Sequence, residues 1–174
     1  MYYNVAQLMK EAVGAFRDYV VNDEVSCAED GWSSLHIKGA VHMLKTHRGV
    51  LVTATLTTSI PEDCSRCLEA FAQELDLTVE EEYFPVIEVS TGVAMPVPEE
   101  AGPFCIDERH TLNLLEAVRQ AVLLARPLQP VCQKACQGLC SECGGNLLRG
   151  ECRCAEDTTD PRWELLTKML RHTN

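Results

Sequence analysis

The chain has 174 residues, 46% hydrophobic and 24% charged, the mix of one soluble globular domain and not of a disordered segment. Asp plus Glu number 26 against 15 Lys plus Arg, a net charge of −11. That balance argues against broad binding to phosphate backbones and suits a basic protein partner. The start, MYYNVAQLMKEAVGAF, lacks a basic leader followed by a continuous apolar stretch. The apolar run at 121–125 is far short of the roughly 18 residues a spanning helix needs. A cytoplasmic chain without membrane contact is therefore expected. Thiols stay reduced there, so the ten cysteines read as metal ligands or redox groups before they read as disulfides.

In chain order, Asn4 as N-cap, Gln7 three residues on, and Val5, Leu8, Met9 and Ala12 at helical spacing predict a short helix ended by Gly14. Residues 15–25 turn β-like through Phe16, Tyr19, Val20 and Val21. SSLHIKGAVHML alternates, with Leu35, Ile37, Val41 and Met43 on one face and His36, Lys38 and His42 on the other. GVLVTATLTTSI sets Val50, Val52, Ala54 and Leu56 against Leu51, Thr53, Thr55 and Thr57, and the KTHRG between these runs reads as a hairpin connection. FAQELDLTVEEEYF repeats the pattern with Phe71, Leu75, Leu77 and Val79.

Residues 85–103, rich in Pro and with Glu99 and Glu100, predict an exposed acidic loop. A helix is expected over 111–125, capped by Thr111 and stopped by Pro127, with Leu115, Val118, Val122 and Ala125 on one face. Asp160 and Pro161 open a last helix with Trp163, Leu166 and Leu170 on one stripe. Strands followed by helices make an α+β fold, an antiparallel β meander with flanking helices. The expected organisation is a core over 1–131 and a cysteine-rich metal-binding tail with its helix over 132–174, integral to the same domain.

Six cysteines crowd the tail: Cys132, Cys136, Cys140, Cys143, Cys152 and Cys154. CSECGG brings two thiolates to one tetrahedral ion, and the CRC unit can supply the opposing pair. Cys140, Cys143, Cys152 and Cys154 thus resemble a zinc ribbon. A closed structural site takes four ligands, so the upstream CSRC pair, Cys64 and Cys67, is grouped with Cys132 and Cys136 in a second site, with free thiols as the competing reading. One or two zinc ions are expected; spacing does not separate zinc from an iron–sulfur cluster, although closed thiolate knuckles favour zinc.

CxxC is also a redox motif, but that motif normally opens a helix in a βαβ unit, and here it joins two antiparallel strands. Cys27 and Cys105 read as small buried residues or ordinary thiols. Basic residues near the cysteine segments, Arg66, Arg119, Arg126, Lys134, Arg149 and Arg153, are candidates for an RNA- or partner-facing patch. The scattered histidines form no catalytic constellation with a nucleophile.

The combination of CSRCLEAF, IDERHTLNLLEAVRQAVLLARPLQPVC, CQGLCSECGGNL, CRC and DPRWELL resembles the YceD family of large ribosomal RNA subunit accumulation proteins. The resemblance implies a cytoplasmic, non-enzymatic factor needed for accumulation of large-subunit (23S) ribosomal RNA. Its expected partners are a precursor of that RNA or a ribosomal protein, with no small-molecule substrate. The competing functions are a thiol-disulfide oxidoreductase using Cys64 and Cys67, and a zinc-stabilised interaction scaffold.

Overall fold

Alternating apolar and polar residues build most of the structure. The computed structural model describes residues 1–27, 32–154 and 161–163. Four long strands follow one another: β2 (Phe16–Cys27), β3 (Trp32–Lys45), β4 (Val50–Asp63) and β5 (Ala70–Pro85), each antiparallel to the next. Val, Ile and Thr make up half of β4, where β-branched side chains fit a pleated, half-buried surface. Pairing Val41 with Ala54 and Ala54 with Val79 lines up one buried row across three strands. Leu35, Ile37, Val41 and Met43 are all buried, as are Val50, Val52, Ala54 and Leu56, so the phases expected from alternation hold.

Three short strands extend the sheet on the β5 side: β1 (Tyr2–Asn4), β6 (Cys105–Ile106) and β7 (Thr111–Asn113), giving the order β1-β7-β6-β5-β4-β3-β2. β5 and β6 run parallel; the remaining neighbours are antiparallel. These strands correct two expected helix starts. Asn4 pairs with Thr111 across β1 and β7, so neither residue caps a helix. The first helix, α1, covers only Ala6–Lys10 and stops short of Ala12 and Gly14, while the second, α2, covers Leu115–Ala125. The two asparagines still shape the entries: Asn4 Oδ1 accepts from the Ala6 N–H at 3.1 Å, and Asn113 Oδ1 from the Leu115 N–H at 3.1 Å.

α2 packs on β5 and buries Ala117, Val118 and Val122. Val5 and Leu8 close the same core beside Ile106, Leu112 and Leu114. Tyr83 is fully buried, and its hydroxyl donates to the Asn113 carbonyl at 3.2 Å, tying β5 to β7. Residues 86–99 are exposed or half-exposed and pinned by an Ile87–Ala94 bridge. The loop expected over 85–103 is corrected at its ends, since Pro85 is buried as the last residue of β5 and Ala101 is buried in a 3-10 turn. The helix expected from Asp160 through Leu166 and Leu170 lies outside the described residues apart from Pro161–Trp163, a 3-10 turn. The Cys27 side chain lies outside them too; Cys105 is half-buried in β6. Among the described residues no helix is long and apolar enough to cross a membrane.

Candidate metal centres

Between β4 and β5 the chain makes a tight knuckle. The Cys64 N–H donates to the Glu69 carbonyl at 2.9 Å, and the Leu68 N–H donates back to the Cys64 carbonyl at 2.9 Å. α2 ends where Arg126 turns extended ahead of Pro127. The chain then returns over the knuckle, with the Ser65 N–H on the Pro130 carbonyl at 2.8 Å. This places Cys132 and Cys136 against Cys64 and Cys67. The Sγ–Sγ distances are 3.9 Å for Cys64–Cys136 and 3.8 Å for Cys67–Cys132, and all four sulfurs lie within 4.8 Å of one another. Cys64, Cys67 and Cys136 are buried in a small cluster of their own with Phe71 and Val131, apart from the main core.

The second group, Cys140, Cys143, Cys152 and Cys154, also lies within 4.8 Å, sulfur to sulfur, but is half-exposed to exposed. Its first pair sits on the same knuckle: the Cys140 N–H donates to the Gly145 carbonyl at 2.9 Å, and the Gly144 N–H to the Cys140 carbonyl at 3.0 Å. An isolated bridge between Leu139 and Asn146 and a hydrogen bond from the Glu151 N–H to the Asn146 carbonyl at 3.1 Å lead the chain back to Cys152.

The two knuckles differ at one position. Gly144 has φ +70° and Leu68, at the equivalent place, has φ +60°. A left-handed leucine costs roughly 1–2 kcal/mol, and its side chain is largely exposed, so the knuckle holds that backbone without packing reward. CSRCLE therefore has the backbone of CSECGG, which the missing glycines hide in the sequence.

The centres lean on each other. Arg66, inside the first knuckle, donates to the Cys136 carbonyl at 2.9 Å. A Cβ on Gly138 (φ +81°) would stand 3.0 Å from the Arg66 carbonyl, so only glycine passes there unstrained. Arg149, from the second centre, pairs with Glu69 of the first at 2.6 Å. Arg126 is paired with Glu62, whose side chain is only 5% exposed and whose Oε2 accepts from Nη2 at 3.0 Å. Arg119 pairs with Glu116 at 2.8 Å. Of the basic residues picked out in the sequence, Lys134 and Arg153 are exposed and have no ion pair among the described residues. The acids that engage the arginines were not singled out by the sequence, because a lone Glu62 or Glu69 resembles any solvated carboxylate there.

Each sulfur set is electrostatically uneven. Backbone N–H groups at Cys132 and Cys67 hold the Cys64 thiol down to about 6, and burial pushes Cys132 up to about 12. In the second set the Cys143 and Glu142 N–H groups hold Cys140 down to about 6, and the Cys143 side chain pushes Cys154 up to about 12. A cation binds thiolates, so its binding at either set would release protons from the thiols. A tetrahedral edge of 3.8–3.9 Å corresponds to a metal–sulfur length of about 2.3–2.4 Å, and zinc–thiolate bonds are about 2.3 Å. The eight thiols fall into two groups that could hold a metal ion, and the donor set and spacing fit zinc.

Residues 52–170 match the family model for the large ribosomal RNA subunit accumulation protein YceD. The chain is 32% identical over 122 residues to an uncharacterized protein of Mycobacterium leprae, covering 70% of this chain and 53% of that protein. Uncharacterized proteins of Mycobacterium bovis and Mycobacterium tuberculosis are each 32% identical over 123 residues, 70% of this chain and 56% of theirs. The chain thus spans about half the length of the curated relatives it matches. No solved structure matches it with significance.

Proposed function

Since the chain belongs to the YceD family of large ribosomal RNA subunit accumulation proteins, we propose that it is a non-enzymatic cytoplasmic factor for large-subunit biogenesis, stabilised by two zinc ions. The observation that carries this reading is the family match, which runs over the β4–β5 knuckle and both sulfur groups. Cys64, Cys67, Cys132 and Cys136 would hold one zinc, and Cys140, Cys143, Cys152 and Cys154 the other. Bound there, zinc supplies a tetrahedral cross-link with no open position for a substrate, a structural role.

The depressed Cys64 thiol is also what a disulfide reductase needs. Its residue is 0% exposed, which puts its sulfur out of a substrate's reach and favours metal over redox chemistry. The partner is a precursor large-subunit particle. Glu74, Asp76 and Glu80 stand exposed in one row on the outward face of β5, opposite Ser59, Thr57 and Thr53 of β4. That acidic row suits a basic ribosomal protein.

The test is deletion of the gene followed by RNA electrophoresis. The expected result is a fall in mature large-subunit RNA relative to small-subunit RNA, restored by the gene in trans. An unchanged ratio would overturn the proposal.

A further inference from the structure

The turn between β3 and β4 gathers cations on a strongly acidic chain. Lys45, His47 and Arg48 lie within four residues, and Lys10 of α1 joins them around a cleft of about 360 Å³, closed on its far side by the loop after β5. The turn is held firmly. Thr46 Oγ1 accepts from the Arg48 and Gly49 N–H groups at 3.2 and 2.8 Å and donates to Glu82 Oε1 at 2.7 Å.

The cations themselves are spare. The Arg48 guanidinium lies over the Phe84 ring, 4.8 Å from its centroid. Lys45 is half-buried, its Nζ contacts the Met9 sulfur at 3.7 Å, and no acid among the described residues pairs with it. Burial lowers its pKa, as it does for a cation short of counter-charge. Glu88, the acid in the lining, accepts from its own neighbours Ser90 and Thr91 at 3.0 and 2.5 Å. The lining therefore sets three basic side chains, Lys10, Lys45 and Arg48, against one carboxylate, which keeps its charge while it accepts from Ser90 and Thr91. Met9, Val89 and Met95 add an apolar shelf beside them.

We propose that this cleft binds one nucleotide unit, its phosphate between Lys45 and Arg48 and its base on the Met9–Met95 shelf. The volume lies in the range of small-ligand sites, which combine apolar walls with a few placed polar groups. Proteins hold single strands by a cationic groove beside side chains that take the bases, most often aromatic ones; here the cations stand beside methionines and a valine. The unit can belong to an RNA strand or be a free nucleotide; reading it as precursor RNA rests on the function proposed above. Lys10, Lys45, His47 and Arg48 lie outside the family-matched 52–170, so half of the cleft lies outside that match.

The experiment is fluorescence anisotropy of the full, zinc-replete chain with a labelled single-stranded RNA decamer, competed by adenosine monophosphate and by inorganic phosphate over a salt series. Lys45→Gln and Arg48→Gln should each weaken binding about tenfold and lower the salt slope by about one, while Lys38→Gln, on the outward face of β3, should stay within twofold. Arg48 is exposed, so its variant serves if Lys45→Gln folds poorly. Competition by the monophosphate identifies a free nucleotide as sufficient; binding of the decamer alone identifies the strand. No binding by any probe, or variants that bind like the wild type, would overturn the cleft. A deletion strain fully rescued by Arg48→Gln would overturn the reading of that unit as precursor RNA while leaving the biogenesis reading standing; a strain with no RNA phenotype would remove that reading and leave the anisotropy result to decide the cleft.

Discussion

Cys136→Ser separates the metal account from a simple packing account. Cys136 is buried, its sulfur is 3.9 Å from that of Cys64, and it belongs to a cluster distinct from the main core. Structural zinc contributes roughly 10–16 kcal/mol in zinc peptides. Shared equally by four sulfurs that is about 2.5–4 kcal/mol each, so losing one weakens the site about 10²- to 10³-fold. Zinc released to a colorimetric chelator should fall from two equivalents per chain to one. Hydrogen exchange should rise over 64–69 and 128–138, where Ser65–Pro130 and Arg66–Cys136 tie the segments together. The meander should stay protected, because none of the eight cysteines is in its core. Cys143→Ser should also release one equivalent, with faster exchange confined to 139–154. Two equivalents retained by Cys136→Ser would refute the ligand set, and loss of protection across β2–β5 would refute the separation of centre from core.

Further consequences follow from the ion pairs and the knuckles. Arg126→Leu strands the buried Glu62 carboxylate and should cost about 2–3 kcal/mol in urea unfolding, below the usual 3–5 because Arg126 is half-exposed; Glu62→Leu with Arg126→Leu should recover most of it. Hydrogen bonds from Arg119 and Gln120 hold Glu116 at about 2, against about 4.5 unperturbed. A depressed folded pKa stabilises above the unfolded value, and that contribution is lost as pH falls from about 4.5 toward 2. Glu116→Gln should therefore flatten the wild-type decline in stability over that window, followed by circular dichroism. Leu68→Gly should leave zinc affinity unchanged or slightly higher, whereas Gly144→Leu, with open space around its Cβ, should lower it by about 1 kcal/mol for the left-handed backbone alone.

The long strands were legible because a half-buried sheet writes its face into period-two alternation, as Val50, Val52, Ala54 and Leu56 do. The partition of eight cysteines into two fours was legible as well, since closed sites need four ligands and the two knuckles supply pairs at fixed spacing. The starts of both helices were misread for a common reason. Asn4 and Thr111 have good capping chemistry, but they pair with each other 107 positions apart in the sequence, and a three-residue strand has too short a pattern to announce itself. The left-handed Leu68 was hidden because leucine rarely takes that backbone. The partners of Arg126 and Arg149 were hidden because Glu62 and Glu69 meet them only after the tail folds back.

The most direct test of the account is a sucrose gradient of host cells, each fraction probed for the protein and for precursor large-subunit RNA. The protein should migrate with precursor particles, and Cys64→Ser with Cys136→Ser, which removes the centre joining tail to meander, should shift it to the top of the gradient. Wild-type protein confined to the top fractions, with precursor RNA unaltered by deletion, would contradict the account.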